Sequence, residues 1–511
     1  MGRKKMMALN AITVMIMTGI NVILGMFEVK YLIQSYGSTV NGLMQTGNQL
    51  LSYLSLLETG ICGAYLYSMY KPVAEKDDNK LSALYKGFII NTRKAIIKML
   101  IIALGLSFIY PLLLKKDGLP YSFMVIVFSL LSVKTILPYL VTIVPRYMII
   151  LLEQRYKVEL ISGLTRMLTY LCEIIVLLYT QLTLPVLLLI CILISLLSGF
   201  VFQVVMRKMY GSRLENSSIS EDAPRGMSKD VTVHTVSRLV FNGTDNIIIS
   251  TLGRLSDVTI YSNYNLIVSQ VSTIASSIFD GASASIGVKI ANKDENTYDV
   301  YRKLLGIALL VGGIFTSVFI VMINEFVINI WVGKEYVVSE LNCILFGYIM
   351  YAGIVFPCLS VPRNAKGLYK ESKWFTILQA VVNLAITIAT VPYWGITGAL
   401  LGTFIARIFI TIPCNYSLVQ HHVFPNVKSR MWELPASAFV TLFASILTKK
   451  IISFLQIGII IQNKLLCFIC NGIVSTLICG GLLISWFLFS DNSIRQMIFT
   501  SIQRIRIKLN L

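Results

Sequence analysis

The stretch RLVFNGTDNIIISTL (238–252) carries Arg238 and Asp245 in an otherwise apolar setting. A guanidinium presents a planar fork of N–H donors that fits phosphate oxygens, whereas a carboxylate among neutral oxygens can hold a small cation or a proton. The Arg-x6-acid spacing recurs at Arg166 and Glu173, and Lys134, Arg407, Glu58 and Asp280 are further charges set in apolar runs. Arg238 and Arg166, with Lys134 and Arg407, are therefore candidate contacts for an anionic ligand, with Glu58 as a further wall residue. Asn383 and Thr387 stand one helical turn apart and share a face, and Thr403 follows in the next helix. Together with Asp245 they make a candidate site for a monovalent metal cation such as sodium. Two other readings of Asp245 stay open: a proton carrier, because burial favours the neutral acid, or one half of a structural ion pair.

The elements that must position these residues are membrane helices. Of 511 residues, 56% are hydrophobic and 14% charged, and the mean hydropathy is +0.74. A soluble domain needs a more polar exterior than this. Fourteen apolar runs, from 7–33 to 466–489, are each long enough as a helix to cross about 30 Å of hydrocarbon. Strand-length alternation is absent, so the expected class is all-α, a polytopic membrane protein of about 14 transmembrane helices. On a wheel for the run 231–252, His234, Thr235, Asn242 and Asp245 fall within about 100° of Arg238. A charge at the bilayer centre costs about 2.5–3.5 kcal/mol, so this stripe is expected to face protein or a water-filled pathway.

The formal net charge of +19 reports topology. With the N-terminus inside, roughly 32 Lys/Arg fall on the cytoplasmic side of fourteen crossings and about 8 outside, which places both termini in the cytoplasm and leaves nothing for nucleic acid. The start MGRKKMMALNAITVMIM lacks a small-residue cleavage site and reads as an uncleaved first helix. Nine cysteines lie mostly within apolar runs. The Cys467-x-x-Cys470 pair has no second pair or histidine beside it, and His234, His421 and His422 lack any metalloprotease-type spacing. No catalytic constellation and no cofactor are expected, and the chain reads as a non-enzyme.

Two halves echo each other. QRYKVELISGLTRML (154–168) and GLYKESKWFTILQAV (367–381) align at Tyr156 and Tyr369, an offset of 213 residues, and the turns at Gly37 and Gly253 are offset by 216. Six helices per copy give a parallel repeat. The expected organisation is a six-helix lobe over 1–210, a polar cytoplasmic linker over 211–230, a second six-helix lobe over 231–420, and two additional helices with a basic tail over 421–511.

The segments YGSTVNGLMQTGNQLLSYLSLLETGICGA (36–64), NGTDNIIISTLGRLSDVTIYSNYNLI (242–267) and GLYKESKWFTILQAVVNLAITIATVPYWGITGALLGTFIAR (367–407) resemble the Wzx-type polysaccharide and O-antigen flippases. These belong to the MOP superfamily with the lipid II flippases and the MATE multidrug exporters. Matching positions are Asp245, Tyr261, Ser262, Gly395, Gly398 and Ala399; Thr259 and Ile260 stand where relatives often have a glycine. The resemblance implies two six-helix lobes in a V and alternating access. It also implies export of undecaprenyl-pyrophosphate-linked oligosaccharide across the bacterial plasma membrane, coupled to sodium or a proton, with membrane lipids and polysaccharide polymerase proteins as partners. By resemblance to the lipid II flippases, helices thirteen and fourteen would line a groove for the polyprenyl tail; bracing of the fold is the alternative. A cation-coupled multidrug exporter would favour acidic walls, and a glycosyltransferase or polymerase would need a large loop or domain that the sequence does not show.

Overall fold

Long apolar runs with few helix breakers satisfy every backbone group internally only as helices, and that is what they form. The computed structural model describes residues 3–114, 118–214, 219–223, 229–292, 294, 296–455, 463–490 and 495. The described residues are 88% helical and hold no strand, and eleven helices among them are long and apolar enough to cross a membrane.

The chain divides into two compact units, 1–259 and 260–511. The first holds α1 (Arg3–Tyr36), α2 (Ser38–Ser52), α3 (Ser55–Glu75), α4 (Asp78–Leu113), α5 (Tyr121–Ile136), α6 (Tyr139–Leu151), α7 (Arg155–Tyr179), α8 (Leu184–Tyr210), α9 (Lys229–Gly243), α10 (Asp245–Leu252) and the start of α11 (Leu255–Ala291). Its core gathers Leu43, Phe88, Met124, Phe128, Ile143 and Leu188, all nearly sealed from solvent.

Three runs that read as single helices are interrupted, each for a local reason. The run 121–145 breaks at Pro138, which has no N–H for the carbonyl of Lys134 and whose ring crowds it. The run 42–69 breaks at Tyr53–Leu54, where the Ser52 hydroxyl bonds back to the Gln49 carbonyl (2.6 Å) and i→i−3 bonds tighten the turn. The run 231–252 bends at Thr244. A Cβ on the neighbouring Gly243 would lie 2.5 Å from Gln49 Nε2 and 2.9 Å from the Tyr53 hydroxyl, so α2 presses directly on the backbone there. Arg238 and Asp245 therefore sit on separate helices, α9 and α10, and the single polar stripe drawn through both is corrected to two.

The turn before α11 is gripped from two sides. A Cβ on Gly42 would stand 1.8 Å from the Leu255 carbonyl oxygen, so only glycine admits this approach of α2. Asn41 Nδ2 donates to Thr259 Oγ1 (3.1 Å), Thr259 donates to the Ser38 carbonyl (2.6 Å), and the Tyr110 and Ser250 hydroxyls share a bond (2.9 Å).

Part of the polar linker is docked rather than free. Residues 219–223 run beside α3 and α4: the Glu221 amide donates to the Ala83 carbonyl (3.0 Å), and Asn91 Nδ2 donates to both Asp222 (2.7 Å) and the Tyr65 hydroxyl (2.6 Å). A Cβ on Gly87 would lie 2.0 Å from the Glu221 carbonyl oxygen. Asn91→Ala removes the donor to an exposed carboxylate, at the lower end of the about 1.5–3 kcal/mol of a charged hydrogen bond. Limited proteolysis should then cut this segment roughly tenfold faster; an unchanged rate would mean that the Asn91 bonds do not hold it.

The second unit contains α12 (Thr297–Asn329), α13 (Glu340–Ala365), α14 (Tyr369–Trp394), α15 (Ile396–Ile405), a π-helical stretch Ala406–Thr411, α16 (Ile412–His422), α17 (Glu433–Leu455) and α18 (Lys464–Ser490). Pro413 cannot donate to the carbonyl one turn back, and the wider π turn just before it absorbs the mismatch. The additional pair α17 and α18 packs on α12 and is stitched by polar bonds. Ser317 donates to the Thr441 carbonyl (3.0 Å), Tyr351 meets Ser437 (2.6 Å), Tyr348 donates to the Ala438 carbonyl (2.7 Å), and Asn471 Nδ2 donates to Glu325 (3.2 Å). Near the start of α12, buried Arg302 donates to buried Glu433, which Arg430 also approaches at 3.3 Å.

Candidate functional site

In the first unit α1 packs along α7, α8 packs on α7, and α5 packs on α8. This arrangement gathers charges that are far apart in sequence. Lys134, in the last turn of α5, donates to Glu173 Oε1 at 3.0 Å; Glu173 is only 3% exposed and also accepts from the Cys191 thiol at 2.9 Å. Glu28 on α1 lies within the electrostatic field of both Lys134 and Glu173, and Arg166 adds its field at Tyr170. The half-buried Lys134 ammonium thus pairs with Glu173 within the field of Glu28, and the Arg166 guanidinium stands about two turns from Glu173 on α7. Sequence reasoning singled out Lys134, Arg166 and Glu173 but passed over Glu28 and Cys191. Glu28 gave the same signal as the others, an acid in an apolar run.

Arg166 and Arg238 are both exposed on their helices. Asp245 is 5% exposed in the first turn of α10, where the positive end of the helix dipole favours a carboxylate, and its field reaches the Tyr53 hydroxyl. The side chains of Glu58 and Asp280 lie outside the described residues.

The second unit brings three of the proposed cation ligands together, while the fourth, Asp245, belongs to the first unit. Asn383 and Thr387 on α14 are fully buried, and Asn383 Nδ2 donates to Thr403 Oγ1 on α15 at 2.8 Å. A Cβ on Gly402 would fall 2.4 Å from Thr387 Oγ1 and 2.9 Å from the Asn383 carbonyl oxygen, so the glycine lets the two helices close around these atoms. Asn383 Oδ1 and Thr387 Oγ1 have no hydrogen-bond partner. Each such orphan costs about 1–3 kcal/mol. A small hard cation, which takes neutral oxygens, is the kind of ligand that would relieve both, and the donor set fits one. Arg407 stands apart from this cluster: it lies half-buried in the π-helical stretch, with Nη1 3.4 Å from the Ile349 carbonyl oxygen of α13.

With eleven described helices long and apolar enough to cross a membrane, the chain has an all-helical fold that it shares with solved membrane transporters. One similar solved structure is the lipid II flippase MurJ in an inward closed conformation, with TM-score 0.65, 11% identity, and coverage of 93% of this chain and 99% of that one. Another is the inward-facing conformation of a multidrug resistance MATE family transporter of the MOP superfamily, with TM-score 0.60, 11% identity, and coverage of 83% and 99%. At this identity the likeness is one of fold. No protein-family profile and no curated protein sequence matches the chain.

Proposed function

We propose that the protein is a flippase that moves undecaprenyl-pyrophosphate-linked oligosaccharide repeat units across the bacterial plasma membrane by alternating access, for surface polysaccharide assembly. Fourteen crossings, two six-helix lobes and cytoplasmic termini belong to this reading. The observation that carries it is the exposure of Arg166 and Arg238 on helices of an apolar chain. A guanidinium turned to lipid at bilayer depth is costly, so each belongs against water or ligand, and a fork of donors suits a pyrophosphate. Arg407 adds positive charge, Lys134 enters the proposed wall paired with Glu173, and Glu58 completes it. The fold shared with a lipid II flippase supports a lipid-linked cargo. Asp245, Asn383, Thr387 and Thr403 are the proposed coupling residues.

A cation-coupled multidrug exporter of the MATE type is the second reading, favoured by the MATE-like fold and by the paired acids Glu28 and Glu173. The two separate on ligand charge. Undecaprenyl-pyrophosphate should raise the melting temperature of the purified protein, whereas the lipophilic cation tetraphenylphosphonium should leave it unchanged. Arg238→Gln should cut the pyrophosphate response and Arg238→Lys restore only part of it, because lysine lacks the planar fork. Stabilisation by the cation alone would instead establish the exporter reading.

A further inference from the structure

A second polar feature lies in the first unit, between α4, α6 and α8, away from the acid pair. It is a cavity of about 290 Å³ whose lining includes Tyr85, Thr92, Arg93, Pro145, Gln203 and Arg207. That volume stands at the small end of ligand sites, about 300–1,000 Å³, so it suits a headgroup rather than an oligosaccharide.

Three observations bear on what it holds. Arg93 on α4 and Arg207 on α8 converge: both guanidiniums exert their field on the Tyr85 hydroxyl. Among the described residues neither has an ion-pair or hydrogen-bond partner, and no acid lines the cavity. Thr92, 4% exposed, lines the same space and its hydroxyl has no partner. A buried hydroxyl left so is unfavourable until a ligand oxygen meets it. The level in the membrane is the third. Arg93 stands 20 residues before Leu113, where α4 ends, and Arg207 stands 23 residues after Leu184, where α8 begins. At 1.5 Å per residue these are about 30 and about 34 Å, the thickness of the hydrocarbon core, which sets both guanidiniums at headgroup depth.

We propose that this cavity binds the phosphodiester headgroup of an anionic phospholipid, with Arg93 and Arg207 engaging the phosphate oxygens and the Thr92 and Tyr85 hydroxyls donating to the same group. A net-neutral headgroup brings an ammonium for which the lining has no carboxylate, so the site selects anionic over zwitterionic lipid. Free phosphate has the same oxygens and differs in lacking an acyl anchor.

The test is thermal unfolding of the full-length protein in neutral detergent with phosphatidylglycerol, phosphatidylcholine or inorganic phosphate. Phosphatidylglycerol should raise the melting temperature by several degrees, and the other two should not. In Arg93→Gln/Arg207→Gln, both exposed positions, the lipid-free melt should stay near wild type while the phosphatidylglycerol shift disappears. Thr92→Val, which keeps the shape and removes the hydroxyl, should weaken the apparent affinity for phosphatidylglycerol roughly three- to tenfold. An equal, arginine-dependent shift with inorganic phosphate would overturn the lipid assignment in favour of free phosphate. Equal shifts with both lipids, or a full shift in the double variant, would overturn the site.

Discussion

Truncating Glu433 to alanine is expected to lower the unfolding free energy by about 3–5 kcal/mol. Glu433 and Arg302 are each 4% exposed, and the carboxylate is approached by Arg430 as well as Arg302. Removing it takes the carboxylate from a guanidinium that water hardly reaches. The cost is that of a stranded charge and so exceeds the net worth of the pair. For the same reason Arg302→Met with Glu433→Leu, which removes both charges, should recover most of the loss. Equilibrium unfolding in detergent reads both variants; a loss under about 1 kcal/mol for Glu433→Ala would put the pair in the class of solvent-screened surface bridges. The pair joins α12 to α17, so the same experiment measures how firmly α17 is braced to the rest of the second unit.

Asp245→Asn is expected to abolish gradient-driven transport while sparing substrate binding. The carboxylate is the only formal charge among the four proposed coupling residues, and the amide keeps its shape without its charge. Sodium should protect the wild type against thermal unfolding, by about 2.7 kcal/mol at a concentration 100-fold above its dissociation constant. It should not protect Asp245→Asn. Equal protection of wild type and Asp245→Asn, or protection of neither, would exclude a sodium site at Asp245. Transport by the wild type that follows the pH gradient with no sodium present would assign the coupling to a proton.

Much of the architecture was legible because membrane insertion leaves a coarse mark: long apolar runs, basic residues gathered in alternate loops, and isolated charges that must be satisfied. The partners of those charges were less legible. Lys134 and Glu173 were each visible as charges out of place, but their contact depends on how α5 meets α7, which no local spacing encodes. Arg302 and Glu433 drew no attention because they lie beside loops, where charged residues are ordinary, and only tertiary packing buries them. The break at Pro138 has a sequence signal in the missing N–H. The bend at Thr244 has a weaker one, since Gly243 is tolerated within helices and becomes a bend only where Gln49 and Tyr53 close on it. Asn383 and Thr387 share a helix face by their spacing alone, whereas the hydrogen bond from Asn383 to Thr403 depends on how α14 and α15 pack, which that spacing does not carry.

The proposed activity is tested most directly in proteoliposomes containing the purified full-length protein and a fluorescent undecaprenyl-pyrophosphate oligosaccharide, with a membrane-impermeant quencher reporting sidedness. The expected result is translocation that depends on the protein, accelerates under an imposed ion gradient, and falls sharply in Arg238→Gln reconstituted to the same density. Translocation no faster than in protein-free vesicles, alongside gradient-driven export of a lipophilic cation, would contradict the flippase assignment.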